Sequence, residues 1–312
     1  MDKIAFVFSG QGAQYRGMGR EFYESSAKAK AVFEMADRIR PGTSWQCFNA
    51  TQQELSLTLN TQPCLYCMEM ATVAVLDEKG VKANYVAGFS LGEIVALAYA
   101  GAYSIEEGFK IVCERAKLMN EATQSQKGRM AAVIDLTEEQ VVQLCNGIDG
   151  IYPVNYNCPS QTVVAGTPAG IDLLSEHVKE AGGRSVLLAV DGAFHTPFME
   201  LAADRLFDFL QGVEITSPKI PVYSNLTANP YGSKSDEIKV QLSRQACNAV
   251  LWHKSIINMV EDGVVTFVEI GTGKVLSRLI KKCFPDITTL NVEDNESLKN
   301  ALTELIGGDT YA

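Results

Sequence analysis

No stretch of this 312-residue chain approaches the ~20 consecutive apolar residues that a membrane-spanning helix needs. The apolar run near its N-terminus covers only residues 4–8 and gives way at once to the glycine-rich SGQGAQ. That is too short for a signal peptide, so a first β-strand and a cytoplasmic location are expected. No long run of lysine or arginine occurs, and 27 basic residues face 37 acidic ones, a net charge of −10. Such a field repels phosphate backbones and excludes non-specific nucleic-acid binding. Any anionic ligand must therefore be held by local groups such as helix N-termini, single arginines or short basic patches. Eight cysteines are too few for a disulfide scaffold at this length. Cys64 and Cys67 form a C-x-x-C inside QPCLYCMEMATVAVL, which reads as a buried helix, and no second pair has zinc-finger spacing. Their expected role is as small apolar core residues. Internal repeats and low-complexity segments are also missing.

What the chain does have is a steady alternation of short apolar strands and amphipathic helices, the signature of an α/β fold. KIAFVF reads as the first strand, and NYVAGF as a strand feeding directly into the helix LGEIVALAYAG. SIEEGFKIVCERAKLMNEA carries apolar residues at 105, 109, 112, 116 and 119, one stripe at helical spacing. Between about 128 and 192 the rhythm changes to strand-helix-strand twice over, the ferredoxin-like arrangement. The expected organisation is thus a large, α/β-hydrolase-like subdomain with a parallel sheet, built from 1–127 and 193–312, with a ferredoxin-like subdomain inserted at 128–192. The large unit resumes with a helix at 197–210, the strand IPVYSN, two further helices, the strand TFVEIG and the helix KVLSRLIKKC.

The strongest local signal is Gly88-Phe89-Ser90-Leu91-Gly92. A strand precedes it and a helix follows, the context in which G-x-S-x-G becomes a nucleophile elbow. The glycines permit a sharp turn, and the N–H groups of the new helix can face a developing oxyanion. Ser90 could equally serve only as an N-cap. A serine nucleophile needs a base, and only three histidines are present. His177 lies in a polar helix and reads as solvent-facing, whereas His253 follows Trp252 at a helix start and reads as a cap or packing residue. His195, in GAFHTP, sits between a strand and a helix, where α/β folds place functional groups. A satisfied structural histidine is the competing reading of His195.

Seven motifs in order then point to a family. GQGAQ at 10–14, TQPCLY at 61–66, GFSLGE at 88–93, ERAKLM at 114–119, NYNCPSQTVVAG at 155–166, AFHTPFM at 193–199 and EIGTGKVL at 269–276 span nearly the whole chain. Together they resemble the malonyl-CoA:acyl-carrier-protein transacylases of fatty-acid synthesis, and the acyltransferases of polyketide synthases share the pattern. The resemblance implies that Ser90 is the acylated nucleophile and His195 its base. It implies a backbone carbonyl near Gln245, rather than a carboxylate, as the group that orients the histidine. The N–H groups of Gln11 and Leu91 match the family's oxyanion hole, and Arg115 the arginine that pairs with the malonyl carboxylate. Gln62, Asn157 and Gln11 match polar residues lining the same pocket, and Leu91 with Phe194 resembles the malonyl-preferring subgroup. Arg184, Lys281 and Lys282 are candidates for docking the carrier protein.

The residues themselves leave alternatives open. Arg115 could form a surface ion pair with Glu114 or Glu121, Gln62 could be an ordinary residue of a helix N-terminus, and Asn157 a turn former. Arg184 and the lysine pair could simply belong to solvated faces. One departure stands out, since Phe89 occupies the position where the family usually has histidine, which puts acyl selectivity in question. The implied reaction is ping-pong malonyl transfer from coenzyme A to the carrier protein, by a monomer, without metal or organic cofactor. A serine thioesterase or other hydrolase is one rival reading, although those enzymes place the histidine near the C-terminus and this chain runs far beyond His195. A non-catalytic acyltransferase-like scaffold is the other, suggested only by Phe89.

Overall fold

The computed structural model describes residues 2–190 and 192–307. Among the described residues the strands, in chain order, are β1 (Lys3–Phe8), β2 (Tyr85–Gly88), β3 (Arg129–Ile134), β4 (Ile151–Cys158), β5 (Gln161–Gly166), β6 (Arg184–Leu187), β7 (Val222–Tyr223), β8 (Val264–Ile270) and β9 (Thr288–Val292). They make two sheets. The first has the order β7-β2-β1-β8-β9, and every neighbouring pair runs parallel. Parallel strands need crossover connections, which place helices on both faces and demand apolar residues throughout the strand. Hence KIAFVF does not alternate, and Ala5, Phe6, Val7 and Phe8 are all fully buried.

The second sheet is antiparallel, in the order β4-β5-β3-β6. Helices Glu138–Asn146 and Pro168–Glu180 connect its strands in the ferredoxin-like sequence. It has its own core, including Val133, Val141, Val164, Ile171 and Leu174. The small sheet meets the large subdomain at β4. Val250 donates its N–H to the Val154 carbonyl at 2.8 Å, and the Val250 carbonyl accepts from Tyr156 at 3.0 Å.

In the parallel sheet β1 lies between β2 and β8, so the chain leaves it toward opposite sides. Such a switch point opens a crevice at the carboxyl ends of the strands. The turns after β1 and β2, holding Gln11 and Ser90, both emerge there.

Three elements are shorter than their sequences suggest. RSVLLAV forms a strand only over Arg184–Leu187, because β6 is an edge strand and the segment then turns toward the crevice, where Leu188 and Val190 line a cavity. IPVYSN contributes only Val222–Tyr223 at the opposite edge of the large sheet. The helix expected from residue 197 opens as a 3₁₀ turn, Pro197–Met199, capped by Thr196, and becomes α-helical at Glu200–Gln211.

Candidate active site

Gly88 ends β2 and Gly92 opens the helix Gly92–Tyr99. A Cβ on Gly88 would lie 1.8 Å from the Gly92 carbonyl carbon, and one on Gly92 would lie 2.3 Å from the Phe8 carbonyl oxygen. The glycines of G-x-S-x-G are therefore a steric requirement of helix, turn and β1 meeting this closely. Between them Ser90 adopts φ 54°, a left-handed conformation that non-glycine residues seldom take. Its backbone is clamped on both sides. The N–H donates to Asn225 Oδ1 at 2.7 Å, and the carbonyl accepts from Gln245 Nε2 at 2.7 Å.

His195 also has a positive φ, 63°, and its N–H donates to the Ala246 carbonyl at 3.1 Å. Its Nε2 lies 2.8 Å from Ser90 Oγ. Around Nδ1 stand two carbonyls, Gln245 O at 2.8 Å and Asn248 O at 3.2 Å. Carbonyls only accept, so Nδ1 carries the hydrogen and Nε2 presents the lone pair to the serine hydroxyl. Burial, and secondarily the nearby charge of Arg115, pushes the imidazole down to about 4, against the opposing pull of the two carbonyls. The ring is thus neutral at ordinary pH and ready to accept a proton.

Arg115 is buried, which excludes the surface ion pair. Glu114 instead pairs with Lys117 and Glu121 with Arg205. One guanidinium nitrogen donates to Gln62 Oε1 at 2.9 Å. The other donates to Ser90 Oγ at 3.0 Å and to Gln245 Oε1 at 2.8 Å. Its Nε is buried without a partner among the described residues. Burial lowers the guanidinium to about 10, partly offset by Glu93, so it remains cationic at neutral pH. Gln62 lies within the helix Thr58–Glu78 and is buried, so it is not an incidental residue of a frayed end.

These side chains surround a cavity of about 70 Å³ lined by Gln11, Gln62, Phe89, Ser90, Leu91, Arg115, Met119, Met130, Asn155, Leu188, Val190, Phe194 and His195. Larger clefts of about 390 to 520 Å³ lie elsewhere on the surface, but none contains a serine against a histidine. Asn157 does not line the cavity. Asn155, two residues earlier on β4, takes that place, and Asn157 is buried where the strand shifts register, with its Oδ1 unpaired. Phe89 packs edge-on against buried Trp252, with ring centroids 5.4 Å apart, so an aromatic wall replaces the polar one a histidine would make.

The remaining candidates lie outside this cluster. Arg184 is exposed and pairs with Asp135 at 2.8 Å, while Lys281 donates to the Pro285 carbonyl at 2.9 Å and Lys282 is exposed. His177 is partly exposed. His253 contacts Glu138 at 2.9 Å and so ties the large sheet's helices to the small subdomain.

Sequence reasoning gave no role to Glu93, Asn225 or Tyr231. Glu93 is fully buried, accepts from the Asn225 N–H at 2.9 Å and from Gln245 Nε2 at 3.1 Å, and is hydrogen-bonded by the Tyr231 hydroxyl. Burial raises its carboxyl to about 7 against these three donors and Arg115. One signal was available: Glu93 is the lone charged residue in the otherwise apolar GEIVALAY.

A serine in a strained turn, a neutral histidine held by carbonyls and a buried arginine aimed at the serine make an acyl-transfer site with an anchor for an anionic acyl group. Comparison with known proteins agrees. The family model for the acyl transferase domain matches residues 5–300. The malonyl CoA-acyl carrier protein transacylase of Bacillus subtilis is 39% identical, over 98% of both chains, and that of Synechocystis 34% identical, over 96% of this chain and 99% of its own. The crystal structure of the Clostridium perfringens enzyme of the same name superposes with a TM-score of 0.93 at 38% identity, covering 97% of each chain. A malonyl-transacylase solved in complex with a type II polyketide synthase acyl-carrier protein gives 0.93 at 32% identity, over 97% of this chain and 99% of its own. With the site's geometry and the whole-length similarity in agreement, the chain belongs to the acyl transferase domain family, among its malonyl-CoA:acyl-carrier-protein transacylases.

Proposed function

We propose that this protein transfers a malonyl group from coenzyme A to the phosphopantetheine thiol of an acyl-carrier protein, through an ester on Ser90. The observation that carries the reading is Arg115, a buried cation 3.0 Å from the nucleophile with one nitrogen unpaired. A malonyl thioester supplies the carboxylate that such a cation lacks, close to the carbonyl that Ser90 attacks. Guanidinium and carboxylate match as two parallel hydrogen bonds.

In the first half-reaction the Ser90 hydroxyl gives its proton to His195 Nε2 as Oγ attacks the thioester carbonyl. The N–H groups of Gln11 and Leu91, both bordering the cavity, would receive the oxyanion. Collapse breaks the carbon–sulfur bond, and the departing thiolate takes the proton back from His195. In the second half-reaction the carrier-protein thiol gives its proton to His195 and attacks the ester, and Ser90 Oγ leaves with that proton. The Arg115 charge is one of the causes that depress His195. A carboxylate paired with Arg115 offsets it, so the correct substrate strengthens the base as it binds.

Ser90, His195, Arg115 and Gln245 contact one another without needing a residue from a second copy, and action as a monomer is proposed. No helix among the described residues is long and apolar enough to cross a membrane, in keeping with cytoplasmic work on a soluble carrier. Intact-protein mass spectrometry after incubation with malonyl-CoA tests the proposal. One malonyl group per chain is expected on Ser90, none in Ser90→Ala, and transfer to carrier protein on its addition. Labelling that survives in Ser90→Ala would remove the serine from the mechanism.

A further inference from the structure

Glu93 does not line the cavity, yet the Ser90 turn, Arg115 and His195 are tied to it through Asn225 and Gln245. Its Oε2 receives the Asn225 N–H at 2.9 Å and Gln245 Nε2 at 3.1 Å, and its other oxygen receives the Tyr231 hydroxyl. Asn225 grips the turn from both ends, accepting from the Ser90 N–H at 2.7 Å and donating Nδ2 to the Gly88 carbonyl at 2.6 Å. Gln245 does three things at once. Its Nε2 holds the Ser90 carbonyl at 2.7 Å, its Oε1 holds Arg115 at 2.8 Å, and its backbone carbonyl holds His195 Nδ1 at 2.8 Å. A primary amide can turn over and exchange its donor and acceptor ends. The acceptors at Glu93 and the Ser90 carbonyl together keep the Gln245 nitrogen on their side and therefore the oxygen on the side of Arg115. A buried carboxylate is costly unless hydrogen-bonded. Here the bonds that stabilise it are the ones that orient the site.

We propose that Glu93 is a positioning residue for acyl transfer, fixing Asn225 and Gln245 and through them the Ser90 turn, the Arg115 guanidinium and the carbonyl that orients His195. The inference rests on the reading of Ser90 as nucleophile. It needs Glu93 as an acceptor of matched shape rather than as a partner of the substrate.

Three variants test it: Glu93→Gln, which retains a carbonyl oxygen for Asn225 and Gln245; Glu93→Leu, which removes the acceptor shared by the Asn225 N–H, Gln245 Nε2 and the Tyr231 hydroxyl and leaves Gln245 Nε2 only the Ser90 carbonyl and Asn225 Oδ1; and Tyr231→Phe, which deletes one hydroxyl. Rates of Ser90 acylation by malonyl-CoA and acetyl-CoA, and of Ser90 labelling by a small fluorophosphonate, are measured beside thermal melting. Glu93→Leu should lower kcat on the order of 10²-fold for both thioesters with little change in KM, since small displacements at a reacting centre cost that much. Glu93→Gln should stay within a few-fold of wild type, and Tyr231→Phe should lose about tenfold in kcat. A lower melting point with unchanged acylation in Glu93→Leu makes Glu93 merely structural and overturns the proposal, as does a Glu93→Gln variant as slow as Glu93→Leu. If Glu93→Leu does not fold, Tyr231→Phe decides, and a wild-type kcat there also overturns it. Fluorophosphonate labelling that follows this order of variants while malonyl-CoA labels none of them leaves the positioning role standing and removes the malonyl substrate instead.

Discussion

At the residue scale, the site is organised around one guanidinium. Arg115 donates to Ser90 Oγ in the free protein, so a thioester without a carboxylate must react while that contact persists. On the proposed function, a malonyl carboxylate would draw the guanidinium into two charge-assisted hydrogen bonds, each worth about 1.5–3 kcal/mol. Arg115→Ala should therefore lower kcat/KM for malonyl-CoA on the order of 10²-fold or more, at ~1.4 kcal/mol per decade. Acetyl-CoA has no carboxylate to lose, so transfer from it should stay level or improve. The measurement is kcat/KM for both thioesters in wild type and variant, with melting as a check on folding. Equal losses for the two substrates would make Arg115 structural and take away the main physical support for a dicarboxylic acyl group.

At the scale of elements, the two glycines of the elbow matter more for packing than for flexibility. Neither Gly88 nor Gly92 has a positive φ, and what each lacks is room, with the helix backbone 1.8 Å from a Cβ added at Gly88 and β1 2.3 Å from one added at Gly92. Gly92→Ala must push the helix Gly92–Tyr99 away from Phe8 and should cost on the order of 1–3 kcal/mol or more, by overpacking. Gly212 is the control. It closes the helix Glu200–Gln211 at φ −83°, and an added Cβ would meet nothing nearer than the Phe209 carbonyl oxygen at 3.6 Å. Gly212→Ala should be neutral or stabilising by about 0.4–1 kcal/mol. Urea unfolding of the pair checks this, and equal midpoints would mean that the elbow can relax. The elbow was legible in the sequence because a motif with tight steric needs leaves few alternatives. The shortened strands β6 and β7 were not, because they lie at sheet edges, where apolar residues serve a cavity wall or a helix contact as readily as a ladder.

At the scale of the whole molecule, local patterns reached the two-sheet architecture, and the family resemblance reached residues that line the cavity, but neither reached Glu93 and the network around it. Ser90, His195 and Arg115 sit in contiguous motifs, whereas Asn225, Tyr231 and Gln245 reach Glu93 from more than 130 positions away, and only the fold makes them neighbours. Asn157 was singled out by resemblance alone, and Asn155 lines the cavity instead, because β4 shifts register between Tyr156 and Cys158 and sequence spacing does not show which asparagine turns inward. The docking of a carrier protein is likewise a question of the whole surface. This chain carries a net charge of −10, so an acidic partner must approach through a local basic patch. Arg184 stands four residues before Leu188 on the strand leading to the cavity, about 13 Å at ~3.3 Å per residue. Its charge is shared with Asp135. Lys281 and Lys282 end the helix Val275–Cys283 on its exposed side, and Lys282 is close enough to Cys283 to act on its thiol electrostatically, in company with Glu138 and Cys158 of the small subdomain. Arg184 lies within the small subdomain, on the strand whose continuation lines the cavity, and Lys281 and Lys282 end a helix packed against β4 of that subdomain. Steering charges act mainly on encounter and within a Debye length of about 8–10 Å. Lys281→Glu with Lys282→Glu should therefore raise KM for carrier protein and flatten its salt dependence, while Ser90 acylation by malonyl-CoA stays unchanged. Arg184→Glu, leaving Asp135 unpaired, should have the larger effect of the two. Steady-state kinetics across a salt series measure both, and carrier-protein KM values equal to wild type at every salt concentration would place the docking face elsewhere.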